Sequence, residues 1–204
     1  MTNLSFSAVN LTCVRGRQRL FKKINFFLEP GDALYIKGAN GSGKTSFLRL
    51  LAGLREPQSG YIYWCKEKIA LTMPLFLANT LFLGHQNSLN PTLSPLENMS
   101  VSWGLEQGMV LAEKQLKTAF EKLGLKLLER PCYTLSAGQC RRVALTRLVL
   151  SEAKLWLLDE PFTSLDEEGI GIVKNLMLDH LAQGGMIVYS SHIEQDLKSY
   201  VCQL

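Results

Sequence analysis

No stretch of this chain is both long and apolar enough to cross a lipid bilayer. The most apolar segment, Leu71 to Gly84, is interrupted by Thr72, Pro74, Asn79 and Thr80 and falls short of the roughly 20 apolar residues a spanning helix needs. Any membrane connection is therefore expected through a partner. Cysteine is scarce and scattered: Cys13, Cys65, Cys132, Cys140 and Cys202 are odd in number and contain no C-x-x-C pair. That pattern argues against a disulfide framework or a zinc site and fits a reducing cytosol. An excess of one charge is also lacking. The net charge is +4, with Lys and Arg scattered among the acids, so a solvated surface is expected in place of a nucleic-acid footprint. Neither an internal repeat nor a low-complexity segment is present, no secretory signal is expected at the start, and Thr2 is incompatible with an N-myristoyl site.

The 204 residues, 47% of them hydrophobic, suffice for one good core, so a single domain over 1–204 is expected, with at most a small subdomain. Its centre is Gly38-Ala39-Asn40-Gly41-Ser42-Gly43-Lys44-Thr45, a complete G-x-x-x-x-G-K-[ST] phosphate loop. Ahead of it runs a short β-prone strand, Ala33 to Lys37; behind it, Thr45 to Ala52 carries Phe47, Leu48, Leu50 and Leu51 at helical spacing. Strand, loop and helix in that order are the context the motif requires, whereas a mere glycine-rich turn requires none. The glycines let backbone N–H groups turn toward a polyphosphate at a helix N-terminus. Lys44 brings a point charge to the outer phosphates, and the Thr45 hydroxyl suits Mg²⁺.

Leu4 to Val14 and Leu20 to Leu28 read as β-prone runs joined by the basic turn Arg15-Gly16-Arg17-Gln18-Arg19. Gly53 to Gly60 reads as a loop and Tyr61 to Trp64 as another strand, so an antiparallel β edge is expected. Thr80 to Leu83 is a short apolar strand that ends on Gly84-His85-Gln86. Ser94-Pro95-Leu96-Glu97 is a capping box with Pro at the first helical position, and Met109 to Leu123 aligns Leu116, Ala119, Phe120 and Leu123 on one helix face before Gly124. Leu135-Ser136-Ala137-Gly138-Gln139 opens a helix to about Leu150, with Ser136 and Gln139 in a second capping-box pattern whose N–H donors face any approaching anion. The region within about 87–150 is thus a helical insert in an α/β core.

Lys154 to Leu158 is a nearly continuous apolar run, as a parallel strand buried on both faces requires, and it ends in Asp159-Glu160. A helix from Glu167 to about Gln183 leads to a last buried strand, Met186 to Tyr189, followed by Ser190-Ser191-His192. Two carboxylates at the carboxyl end of a buried strand, in a chain that already has a phosphate loop, suggest a division of labour. Asp159 suits Mg²⁺, while Glu160 suits an attacking water.

In their order along the chain these motifs resemble those of the ATP-binding cassette (ABC) ATPases, and the resemblance covers nearly all of it. Gly38 to Thr45 matches the Walker A loop, Gln86 the Q-loop glutamine, Leu135 to Gln139 the signature and Leu155 to Asp159 Walker B. Glu160 matches the catalytic glutamate, Ser164-Leu165-Asp166 the D-loop, and His192 the switch histidine. The resemblance implies an α/β P-loop NTPase core with an antiparallel β edge subdomain and a helical insert, working as an ATP hydrolase on ATP and Mg²⁺. Lys44, Glu160 and His192 are the implied catalytic residues. Residues 38–45 (Gly38, Ala39, Asn40, Gly41, Ser42, Gly43, Lys44, Thr45), Ser46, Gln86 and Arg15 are implied to bind ATP, with Thr45, Gln86 and Asp159 at the metal. A head-to-tail homodimer follows, in which Ser136, Ala137, Gly138 and Gln139 of one copy meet the nucleotide held by the other.

Two positions depart from the family pattern. Ala137 stands where Gly is usual, a small change that should leave the helix start intact. Arg15 stands where many members place an adenine-stacking aromatic; its guanidinium can stack on a base, with a basic surface turn as the alternative. Within the family the chain is similar to the ATP-binding subunits of cytochrome c maturation systems. That likeness implies a subunit at the cytoplasmic face of the bacterial inner membrane, docked on CcmB and CcmC type membrane proteins and linked to haem delivery. Direct haem binding by His85 or Cys132 is not expected. A subunit of another small-molecule exporter and a soluble, non-transport ABC ATPase remain the alternatives. Leu89, Leu93, Leu96 and Met99 of the insert are candidates for docking the membrane partners, or else for packing the insert itself.

Overall fold

The computed structural model describes residues 4–16, 18–108, 111–126, 129–192 and 197–204, the side chains of residues 18, 106 and 107 aside. Arg17 of the expected basic turn and Met109 at the expected helix start lie outside them. The chain forms two compact units. One comprises Met1–His85, Glu152–Pro161 and Met177–Leu204, the other Gln86–Ser151 and Phe162–Leu176.

The first unit holds two sheets. β1 (Phe6–Arg15), β2 (Gln18–Leu28), β4 (Ser59–Trp64) and β5 (Glu67–Lys68) make an antiparallel sheet in the order β2-β1-β4-β5. β3 (Ala33–Lys37), β6 (Thr80–Leu83), β7 (Leu155–Asp159), β8 (Met186–Ser190) and β9 (Tyr200–Gln203) make a parallel sheet in the order β6-β7-β8-β3-β9. β7 and β8 are buried along their whole length, which explains why they read as continuous apolar runs. Helix α1 (Lys44–Leu51) buries Phe47, Leu48, Leu50 and Leu51 completely, in a core shared with residues of both sheets. The Phe47 ring meets Phe21 edge-on at 5.1 Å and Phe26 at 6.3 Å. Each such side chain contributes roughly 1.5–3 kcal/mol by leaving water, so the helix behind the phosphate loop is firmly held.

Besides the two-residue β5, two elements of this unit escape the sequence reading. Helix α2 (Met73–Ala78) forms inside the interrupted apolar segment, with Pro74 in its first turn. β9 is a short strand with little buried area that exists because β3 offers it a parallel partner.

In the second unit, α3 (Pro95–Gln107) starts at the expected capping box: the Glu97 N–H donates to Ser94 Oγ (3.3 Å) and the Ser94 N–H to Glu97 Oε2 (2.8 Å). Helix α4 (Glu113–Lys122) buries Leu116, Ala119 and Phe120, the expected face, and ends before Gly124, whose φ of 69° is left-handed. Helix α5 (Ala137–Leu150) follows a turn of 3₁₀-helix at Cys132–Thr134, and α6 (Glu167–Ala182) starts in this unit. Met99 is only 2% exposed and Leu89, Leu93 and Leu96 are half-buried. Met99 is therefore a packing residue of the insert and no docking residue, because its side chain is already spent on the unit's own interior.

In the first unit, the end of α6 stacks His180 on Trp156 of β7, ring centroids 3.8 Å apart and ring planes nearly parallel at 7°. Burial depresses the His180 pKa from 6.5 to about 4. The folded chain thus disfavours a proton that the unfolded chain accepts, and stability falls as pH drops from about 6.5 toward 4. The fall in melting temperature between pH 7 and pH 5 is expected to be smaller in His180→Phe than in the wild type, whatever the variant does to absolute stability. An unchanged difference would remove His180 from the acid response.

Candidate nucleotide site

The phosphate loop leaves β3 at Lys37 and enters α1 at Lys44. Gly43 caps the helix at φ 108°, a left-handed conformation that a side chain would strain. Lys44 is 8% exposed, and its Nζ donates to the carbonyls of Gly38 (2.9 Å) and Ala39 (3.3 Å), so the cation lies on the loop itself. Asn40, Gly41, Thr45 and Ser46 line the same cleft, of about 450 Å³. Arg15, Leu20, His85, Asp159, Glu160 and His192 also line it.

Strand register explains why those last residues converge. In the parallel sheet Asp159 of β7 lies opposite Ser190 of β8, which in turn lies opposite Ile36 of β3, so the carboxyl ends of three strands arrive together. Asp159 is 1% exposed and accepts a hydrogen bond from Ser190 Oγ (2.9 Å). The Ser190 oxygen also accepts the Glu160 N–H (3.1 Å), and Glu160 has a left-handed φ of 52°. Strain of that kind gathers where the surroundings enforce a working geometry. The Glu160 carboxylate accepts from the His192 N–H (3.0 Å) and lies 3.3 Å from His192 Nε2.

The second unit carries the other expected residues. Gln86 is its first residue and is exposed. Ser136 caps α5 as expected: its Oγ accepts the Gln139 N–H (3.1 Å) and its N–H donates to Gln139 Oε1 (2.9 Å). Ala137 is exposed, so its methyl meets no obstacle and the helix start forms without a glycine there. Gly138 is different, because a Cβ there would stand 2.6 Å from the Ser164 carbonyl oxygen. Ser136, Gly138 and Gln139 share a cleft of about 490 Å³ with Asp166.

Asp166 Oδ1 accepts from the Gly169 N–H (2.9 Å) and from Arg142 Nη2 (2.5 Å), and these donors hold its carboxyl below the usual carboxylate range. Arg142 also donates to the Leu123 carbonyl (2.9 Å), tying α5 to the end of α4 and to the loop before α6. Sequence reasoning passed over both Arg142 and Ser190. The available signals were a charged residue inside the buried face of α5 and a hydroxyl closing an apolar strand.

Residues 21–163 match the model of the ABC transporter family. The chain belongs to that family. It is an ABC-type ATPase subunit, and among its relatives is the cytochrome c biogenesis ATP-binding export protein CcmA of Methylococcus capsulatus, 42% identical over 97% of this chain and 96% of that protein. The protein of the same name from Nitrosomonas europaea is 41% identical over 92% of this chain and 88% of its own length. Among solved structures, a Pyrococcus furiosus protein described as an ABC transporter ATP-binding protein superposes with a TM-score of 0.85, covering 98% of this chain and 97% of that one at 23% identity. A dimeric ATP-binding cassette in a post-hydrolysis state with ADP and Pi gives 0.79 at 22% identity, over 92% of this chain and 88% of that one. Both share the cassette fold.

Gly138→Ala is expected to displace the Ser164 backbone and lower saturated ATP turnover by about tenfold or more. Ala137→Gly, which removes an exposed methyl, should change turnover by less than about twofold, since surface changes of this kind are near neutral. Steady-state hydrolysis of the two variants checks both; equal rates would mean that the Ser164 contact does not matter.

Proposed function

We propose that this cassette is the ATP-hydrolysing subunit of a cytochrome c maturation complex. It energises CcmB and CcmC type membrane partners in haem export, or in release of a haem-loaded chaperone, from the cytoplasmic face of the inner membrane. The supporting observation is the end-to-end likeness to the two CcmA proteins, since every ABC subunit shares the ATPase motifs alone.

Two copies arranged head to tail complete each site. Residues 38–46 wrap the phosphates of ATP with backbone N–H groups at the start of α1, and Lys44 exchanges its loop carbonyls for the outer phosphates. The buried carboxylate of Asp159 and the Thr45 hydroxyl suit Mg²⁺, which neutralises phosphate charge when bound. Glu160 orients the attacking water and receives its proton as the water oxygen bonds to the γ-phosphorus and the bond to the β–γ bridging oxygen breaks. His192, within reach of the Glu160 carboxylate, donates toward the γ-phosphate. From the opposite copy, Ser136 and the N–H groups near Gly138 meet the same phosphate, with Asp166 beside them.

The test is a haem stain for c-type cytochromes in the source organism with this gene deleted, then complemented by the wild type or by Lys44→Ala. Cytochromes should vanish on deletion and return only with the wild type. Their persistence would leave a subunit of a different small-molecule exporter, or a soluble ABC ATPase, as the reading.

Arg15 lines the cleft beside Leu20 and is the candidate to stack on adenine. Arg15→Ala should raise the ATP KM several-fold and leave turnover at saturation unchanged. A fall in saturated turnover with KM unchanged would overturn the stacking role.

A further inference from the structure

We propose that Ser190 is a positioning residue for hydrolysis: its hydroxyl fixes both the Asp159 carboxylate and the backbone of Glu160. The inference rests on the ATPase roles given above to Asp159 and Glu160.

A serine hydroxyl has one proton to give. Here that proton goes to Asp159 Oδ1 at 2.9 Å, while the oxygen accepts the Glu160 N–H at 3.1 Å. The direction of both bonds is thereby set, and one atom couples the orientation of the acid suited to the metal to the backbone of the acid suited to the water. Ser190 is fully buried, so solvent does not reach its hydroxyl in the folded chain. The residue it holds is in a left-handed conformation, φ 52° at Glu160, that a non-glycine residue adopts only when neighbours enforce it. Register supplies the rest: Ser190 lies opposite Asp159 in the β7–β8 pairing and closes a strand whose other members, Met186 to Tyr189, are apolar or aromatic. Residues that orient a metal-binding side chain in this way typically change metal affinity or activity about ten- to hundredfold when lost.

Ser190→Thr and Ser190→Val add the same methyl branch at the same buried point, so any packing penalty falls on both, and only the threonine keeps the hydroxyl. Both are made in the full-length chain. Two quantities are read: ATP turnover with its KM, and the melting-temperature rise produced by ADP with Mg²⁺ over that produced by ADP with EDTA. Ser190→Thr should retain turnover within about threefold of wild type. Ser190→Val should lose about tenfold or more in saturated turnover with little change in KM, and should lose most of the Mg²⁺-dependent part of the melting shift. Equal turnover and equal Mg²⁺-dependent shifts in the two variants would overturn the proposal and leave the hydroxyl a satisfied buried group. Should the added methyl unfold both, Ser190→Ala adds no atoms and reads the same two quantities against wild type. Glu160→Gln is the control. Wild-type turnover in that variant would defeat the role given above to Glu160, whereas an inactive Glu160→Gln beside matching Thr and Val variants would defeat only the role of Ser190.

Discussion

The burial of α1 in the core shared by both sheets of the first unit is the constraint on which the nucleotide site depends. Phe47, Leu48, Leu50 and Leu51 leave water together, against aromatic rings of β2 and the interior of β7 and β8. That packing fixes the helix axis and therefore where its first N–H groups point. The loop ahead of it must cover the remaining distance from β3 in a few residues, and Gly43 makes the closing turn at φ 108°. A site for a polyphosphate thus follows from an apolar core several residues away. The same sheet brings Asp159 and Ser190 alongside, because parallel strands in register end together.

The charged groups of the site that this packing buries are given partners. Lys44 rests on two loop carbonyls, Asp159 and the Glu160 N–H share one hydroxyl, and the Glu160 carboxylate is met by the backbone of His192. In the second unit the guanidinium of Arg142, largely buried, is divided between Asp166 and the Leu123 carbonyl. Buried ions without such partners would be expelled or neutralised. Satisfying them also limits how each can move, which is what an ordered reaction centre requires.

Much of this was legible in one dimension. The phosphate loop, both capping boxes, the Asp159-Glu160 pair and the buried strands β3, β7 and β8 are local signals, written in residues that lie next to each other in the chain. Helix α4 likewise presents Leu116, Ala119 and Phe120 where periodicity puts them. What periodicity could not tell was whether an apolar residue faces inward or outward when the neighbouring element is unknown, and Met99 stayed open between docking and packing for that reason. β9 was invisible because four half-exposed residues carry no pattern; β3 makes the strand.

The sequence alone determined the chemistry available to this protein: a phosphate loop at a helix start, two acids after a buried strand, a capped helix with free donors, and the family these define. Its residues carry those signals because each depends on the next few positions along the chain. Tertiary structure decided which distant residues meet. The hydroxyl of Ser190 reaches Asp159 across 31 positions, His192 reaches Glu160 across 32, and Arg142 reaches Asp166 across 24. Strand order and helix packing set those meetings, and both are cooperative properties of the whole fold that no short segment encodes.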